Sequence, residues 1–378
     1  MSALSDLITP ATLIDEARMQ RNISRMQDRM NALGVRLRPH AKTSKCVDVA
    51  RRQTGQGAQG ITVSTLKEAE CFFAAGFNDI LYAACIPPNK IDRALALRLQ
   101  GCALTVIVDS IDAARSLAEA GRANGHAFDV MIEIDSDGHR SGVRAGDRLL
   151  TDIARELTDG GAILKGVLTH AGSSYDLNAP ETLEQLAEQE RREIVAAAEQ
   201  LRTAGFSCPE VSVGSTPTAL SATRLPGITE VRAGVYVFFD LVMANVGVCT
   251  PQDIALSVLT TVIGHQPEKG WIIVDAGWMA MSRDRGTSKQ AHDYGYGAVC
   301  DVQGDLIEGY TVSAANQEHG IISRNDGSPD HDIAKRFPIG SLLRVLPNHA
   351  CATGAQHGCY HLVDGSGQIS RWDRFNGW

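Results

Sequence analysis

The sequence predicts a closed (β/α)8 barrel of the TIM type followed by a mostly antiparallel β domain. Three observations carry that prediction. Eight short apolar or β-branched runs between residues 35 and 232 alternate with segments of helical periodicity, which is the order and size that a parallel barrel requires. From about Met243 the helical periodicity fades, and apolar runs alternate instead with Gly, Asp and Asn turns. No Gly-x-Gly-x-x-Gly turn opens the first helix, so an open dinucleotide-binding sheet fits less well.

In chain order, residues 11–15 read as a strand, assigned here to the β domain. The segment from Glu16 to about Leu33 has helical spacing at Met19, Ile23, Met26 and Met30. Barrel strands are expected at 35–39, 60–64, 79–83, 104–109, 129–135, 164–170, 210–214 and 228–232, with helices at 47–57, 66–75, 88–99, 111–124, 147–159 and 183–204. Asp109 and Ser136 read as caps for the helices that follow them. Strands of the second domain are expected at 254–263, 270–275, 298–302, 342–346 and 360–363. The domains are therefore 16–242, the barrel, and 1–15 plus 243–378, the β domain.

Composition narrows the function. A net charge of −8 with no basic stripe excludes nucleic acid as the expected partner. No apolar run is long enough to span a bilayer, and Met1-Ser2-Ala3-Leu4-Ser5-Asp6 has neither a basic nor an apolar leader region. Nine cysteines, an odd number without framework spacing, point to thiols in a reducing cytoplasm.

Barrel enzymes place their chemistry at the C-terminal ends of the strands. The first strand runs into Arg38-Pro39-His40-Ala41-Lys42-Thr43-Ser44-Lys45. A lysine there is partly desolvated, which favours the free amine, a nucleophile able to form a Schiff base. Of eight lysines only Lys42 and Lys45 stand just past a strand end, and Lys42 is nearer. The sixth strand ends in a polar run from His170 to Tyr175. After the seventh comes Gly214-Ser215-Thr216-Pro217, where Thr216 can cap a helix and Pro217 suits its first turn. After the eighth, Gly234 and Val235 offer further main-chain amides. Loops at these two strands often hold phosphate. A lysine for an aldehyde plus a cup for a phosphate points to pyridoxal 5′-phosphate, with a Schiff-base aldolase of phosphosugars as the alternative.

One constellation remains, Pro347-Asn348-His349-Ala350-Cys351. If it is extended, His349 and Cys351 face the same way and can offer imidazole and thiolate to one metal ion, leaving open positions as a catalytic site needs. Asn316 to Gly320 adds a second polar cluster in the same domain.

Together these motifs resemble the fold-type III, alanine racemase-like pyridoxal phosphate enzymes. Within that class they are similar to the D-serine dehydratase-like group, which also holds 3-hydroxyaspartate dehydratases and D-threonine aldolases. The resemblance spans essentially the whole chain and is closest on the 3-hydroxyaspartate side. It implies that Lys42 carries the cofactor and acts as the base at Cα. It further implies that Arg140 lies near the phenolic oxygen, His170 against the ring and Arg232 at the ring nitrogen, with Tyr175, Ser215, Thr216, Gly234 and Val235 completing the cofactor site. His349 and Cys351 would hold zinc, manganese or cobalt as a Lewis acid on the substrate β-hydroxyl. The expected activity is dehydration of a D-configured β-hydroxy amino acid, 3-hydroxyaspartate to oxaloacetate and ammonia or D-serine to pyruvate. Cys351 favours this over aldol cleavage, because the aldolases of the group tend to carry aspartate there. A homodimer is implied, each site combining one subunit's barrel with the other's β domain. Arg283, Arg285 and His319 are candidates for a second substrate carboxylate.

Overall fold

The protein was analysed as a computed structural model that describes residues 4–328, 330 and 332–378. Residues 1–3, the start of the expected 1–15 segment, lie outside the described residues. The chain forms two compact units, one holding residues up to Ser24 with Val235–Phe375, the other Arg25–Gly234 with Asn376–Trp378. The division falls inside a helix, α1 (Glu16–Leu33), which follows strand β1 (Ala11–Asp15).

The barrel unit contains eight parallel strands. These are β2 (Arg36–Leu37), β3 (Ile61–Val63), β4 (Asp79–Cys85), β5 (Ala103–Val108), β6 (Asp129–Ile134), β7 (Ile163–Thr169), β8 (Glu210–Val213) and β9 (Glu230–Val231). Each pairs in parallel with its neighbours, from β3 through β9 to β2. The ring closes just past β2: His40 bridges Thr62, the Ala41 N–H donates to the Thr62 carbonyl at 2.8 Å, and the Thr62 N–H donates to Pro39 at 2.8 Å.

Between the strands lie α2 (Val47–Gly55), α3 (Leu66–Ala74), α4 (Ile91–Leu99), α5 (Ile111–Asn124), α6 (Arg148–Asp159), α7 (Pro180–Thr203) and α8 (Thr216–Ser221). Their apolar stripes explain the burial. On α6, Leu150, Ile153, Ala154 and Leu157 recur at helical spacing and all are buried, each large side chain contributing about 1.5–3 kcal/mol. Inside, Leu81, Ile107, Met131 and Leu168 form one apolar layer from four adjacent strands. Arg38 ties β2 to β9 and β4 by donating to Glu230 at 2.7 Å and Asp79 at 2.8 Å. Gly60 leaves room for it, since a Cβ there would stand 2.1 Å from the Arg38 Nη1.

Two expected caps are corrected. The cap of α5 is Ser110, whose hydroxyl accepts the Ala113 N–H at 3.4 Å, not Asp109. Ser136 caps no helix; its hydroxyl accepts from Thr169 at 2.9 Å, and α6 is capped by Asp147.

The second unit is built on a nine-stranded sheet. Beside β1 it comprises β10 (Leu256–Gln266), β11 (Trp271–Val274), β12 (Ala298–Cys300), β13 (Leu306–Ala315), β14 (Gly320–Arg324), β15 (Leu342–Leu346), β16 (Cys359–Val363) and β17 (Ile369–Asp373), in the order β11-β14-β13-β12-β15-β10-β1-β16-β17. Among the described residues its strands pair antiparallel except β1 with β16. Short helices α9 (Leu241–Val246), α10 (Trp278–Met281), α11 (Ile333–Arg336) and α12 (Ala350–Gly354) punctuate it. Val258, Val274, Ile322 and Val345 are among the buried residues that make its core.

Candidate active site

The barrel unit holds a cavity of about 340 Å³ walled by the C-terminal strand ends. Lys42, Arg140, His170 and Arg232 all line it, together with His40 and Ser64, which the sequence places beside the strand ends without a role. Two histidines flank the lysine. The Lys42 N–H donates to the His40 Nδ1 at 3.5 Å, so the hydrogen of His40 belongs on Nε2, which meets the Ser64 hydroxyl at 3.4 Å. The His170 Nδ1 donates to the Gly214 carbonyl at 2.5 Å. Burial, reinforced by the Lys42 ammonium, holds the His40 imidazolium well below its ordinary range and pulls His170 down to about 3. Both rings are neutral at pH 7. The Tyr175 ring stands 6.1 Å from that of His170.

Arg232 is 5% exposed. Its Nε donates to the Ser212 hydroxyl at 2.9 Å and its Nη2 to the Thr169 carbonyl. Ser212 in turn donates to Glu230 at 2.9 Å. Burial lowers the Arg232 pKa, and Glu230 opposes it.

Glu133 and Cys85 also line the cavity. Glu133, nearly buried, accepts from Arg140 at 3.4 Å, from Ser141 at 3.0 Å and from the Cys85 thiol at 3.2 Å. The ligand-type atoms of Cys85, Asp109 and Glu133 lie within 4.8 Å of one another. Burial first, then the two carboxylates, drive the Cys85 pKa upward, so the thiol is a hydrogen-bond donor here.

The expected phosphate cup has the right chemistry with one correction. Ser215, not Thr216, caps α8, its hydroxyl accepting the Thr218 N–H at 3.1 Å; Thr216 is the first helical residue. Ser215 and Gly234 are buried, and their main-chain N–H groups have no acceptor among the described residues. Glycine is required at 214, and the space at 234 is tight. A Cβ on Gly214 would stand 1.9 Å from the Arg232 carbonyl, and one on Gly234 would stand 3.0 Å from the His40 carbonyl. Two orphaned buried donors beside glycine-sized clearances suit an anion such as the phosphate of pyridoxal phosphate. Val235 belongs to the other compact unit, buried at the start of a 3-10 turn.

In the β unit, His349 and Cys351 come together, but not along a strand. His349 stands at the N-cap position of α12 without a capping bond of its own, and Cys351 is the helix's second residue; the Ala350 N–H is captured instead by Asp240 at 2.9 Å, at the start of a helix where an extended run is expected. Asp240 also accepts the Met243 N–H at 3.0 Å and so caps α9 as well. The two side chains hydrogen-bond to each other. His349 presents Nδ1 to the Asp284 carboxylate at 2.7 Å, which leaves Nε2 for a ligand. That bond holds Asp284 below the usual carboxylate range. For His349 burial opposes protonation, but Cys351 and Asp284 outweigh it and raise the pKa. An imidazole nitrogen and a sulfur, with a carboxylate behind the imidazole, form a donor set that fits an open divalent-metal site. Asn348 braces the loop by donating to the carbonyls of Asp284 at 3.1 Å and Gly295 at 2.7 Å.

Asp284 and Ser212 carry no motif, and their roles arise from tertiary contacts. Among the carboxylate candidates, Arg285 is paired with Asp293 at 2.9 Å. Arg283 lies 4.9 Å over the Trp278 ring and has no carboxylate partner among the described residues. His319 is exposed.

Comparison with known proteins adds two domain matches. Residues 14–242 match the alanine racemase N-terminal domain, and 255–363 match a serine dehydratase domain. The chain is 64% identical to a D-threo-3-hydroxyaspartate dehydratase from Delftia sp. strain HT23, over 99% of both chains. A solved structure of that enzyme superposes with a TM-score of 0.99, at 63% identity and full coverage of both; a cysteine-to-alanine variant of a D-threo-3-hydroxyaspartate dehydratase has been solved in a metal-free form. A D-serine dehydratase from Dictyostelium discoideum is 32% identical over 97% of this chain and 96% of its own.

Proposed function

The chain belongs to the alanine racemase N-terminal domain family, in the branch that carries a serine dehydratase domain, and from that membership we propose a pyridoxal phosphate- and divalent-metal-dependent dehydratase of D-configured β-hydroxy amino acids. The favoured substrate is D-threo-3-hydroxyaspartate, giving oxaloacetate and ammonia, with D-serine to pyruvate as a second reaction. The likeness to the Delftia enzyme along the full chain carries the reading.

Bound pyridoxal phosphate would supply an electron sink for the carbanion at Cα, and the metal a Lewis acid for the β-hydroxyl. Lys42 takes the proton from Cα. Its neighbours His40 and His170 are uncharged and add no repulsion to the protonated amine. Arg232, which lines the cavity, would face the ring nitrogen as a donor, which would leave that nitrogen without a proton and make help at the leaving group necessary. Arg140 would face the phenolic oxygen, steadied by Glu133. The Ser215 and Gly234 amides would hold the phosphate, with Thr216 and Tyr175 completing the seat. His349 and Cys351 hold the metal, and an imidazole with a thiolate suits zinc or cobalt better than manganese. Arg283 is the candidate for the distal carboxylate. The reading takes the functional unit to be a homodimer in which one copy's β unit completes the other's barrel.

No described helix is long and apolar enough to cross a membrane, and the cysteines form no disulfide, both in keeping with a cytoplasmic enzyme. The test is a 2-oxo acid assay over D-serine, D-threonine and the 3-hydroxyaspartate stereoisomers, with and without chelator. Oxo acid formation that chelator abolishes, and that Lys42→Ala lacks, is expected. Glycine and an aldehyde as products would sink the dehydratase reading in favour of aldol cleavage, and turnover by Lys42→Ala would remove its centre.

A further inference from the structure

Glu190 lies in the middle of α7, is 2% exposed, and takes no part in the chemistry above. Its Oε1 accepts the Ala171 N–H at 3.2 Å and the Gly214 N–H at 3.1 Å. The Thr218 side chain gives it a further hydrogen bond. These donors come from different places: Ala171 follows β7, Gly214 follows β8, and Thr218 is in α8.

The Gly214 peptide is thereby gripped on both sides. Its N–H is held by Glu190 and its carbonyl by His170, while its α-carbon is pressed so near the Arg232 carbonyl that no side chain fits. A shift of Gly214 would move the His170 ring, the Ser215 amide that follows it and the Arg232 backbone together. The carboxylate also faces the Arg232 guanidinium, an attraction that opposes the pKa rise caused by burial.

We propose that Glu190 is a positioning residue that clamps the loops after β7 and β8, holding His170, Ser215 and Arg232 in the one arrangement that seats the cofactor. The inference rests on the pyridoxal phosphate reading above. What the clamp needs is reach, since one oxygen must meet two amides from different loops. A shorter carboxylate keeps the charge and loses the reach; a carboxamide of equal length keeps the reach and an acceptor oxygen.

Glu190→Asp and Glu190→Gln separate these two properties. Full-length protein stripped of cofactor is titrated with pyridoxal phosphate, following visible absorption and the visible circular dichroism of the bound chromophore, with thermal melts recorded alongside. The expected result is that Glu190→Asp weakens uptake about tenfold or more and alters the chromophore's dichroism, while Glu190→Gln stays within about threefold of wild type. The same order with pyridoxal lacking its phosphate supports a clamp that also sets His170. The clamp is overturned if Glu190→Asp binds as wild type does, or if Glu190→Gln is the more damaged of the two, since charge rather than reach would then matter. Wild-type protein that takes up no pyridoxal phosphate overturns the functional reading and the clamp with it; normal wild-type uptake with an unaffected Glu190→Asp overturns the clamp alone.

Discussion

Acidification should destabilise the cofactor-free protein through His170, by an amount that follows from its burial. The folded ring titrates at about 3, whereas an unfolded histidine titrates at about 6.5. Between these values the unfolded chain binds a proton that the folded chain refuses. Stability therefore rises with pH across the window and is lost as pH falls below about 6.5. Integrated from pH 8 to pH 5, one such histidine removes about 2 kcal/mol. His170→Asn keeps an N–H donor for the Gly214 carbonyl without the titration. Urea melts of both proteins at pH 8 and pH 5, cofactor removed, give the comparison. Wild type should lose about 2 kcal/mol more than the variant over that interval. Equal losses would mean that His170 is protonated in the folded state, and the account of a neutral imidazole would fail.

Two further substitutions probe the other half of the site and the strand ends. Asp284→Asn removes the charge behind His349, and calorimetric titration of the metal-stripped protein with zinc should show an affinity loss of about 10–100-fold, with little change in secondary structure by circular dichroism. Gly214→Ala drives a methyl group to within 1.9 Å of the Arg232 carbonyl; the backbone must part, costing about 1–3 kcal/mol, and the purified protein should show a lower melting temperature and a weaker visible band.

The barrel was legible because its helices and strands alternate with clean periodicity, and the expected 111–124 helix coincides with α5. Strands β13, β14 and β17 were not, since β13 and β14 interleave Gly and Ser with their apolar residues and β17, Ile369–Asp373, has no buried residue to mark it. Neighbouring residues with equivalent capping chemistry were confused: Asp109 for Ser110, Thr216 for Ser215. Each was decided by which side chain the fold turns toward the helix, and Asp109 is turned instead toward Cys85. His349 and Cys351 come together for a reason that strand spacing does not contain. Spacing along a strand would align them, but the structure begins a helix between them, and the agent is Asp240, more than a hundred residues away in sequence. Glu190 and Ser212 stand in ordinary helix and strand positions, so only tertiary contacts give them meaning.

The bridge between His40 and Thr62 joins the first and second strands of the ring, and it lies two residues before Lys42. The amine that the proposed function makes reactive thus belongs to the chain segment at the seam of the barrel. Any folding intermediate that has most strands paired but the seam open would have helices, a sheet and yet no amine in place. Capacity to trap an aldehyde at Lys42 would then report ring closure itself, a chemical signal for the last topological step rather than for catalysis.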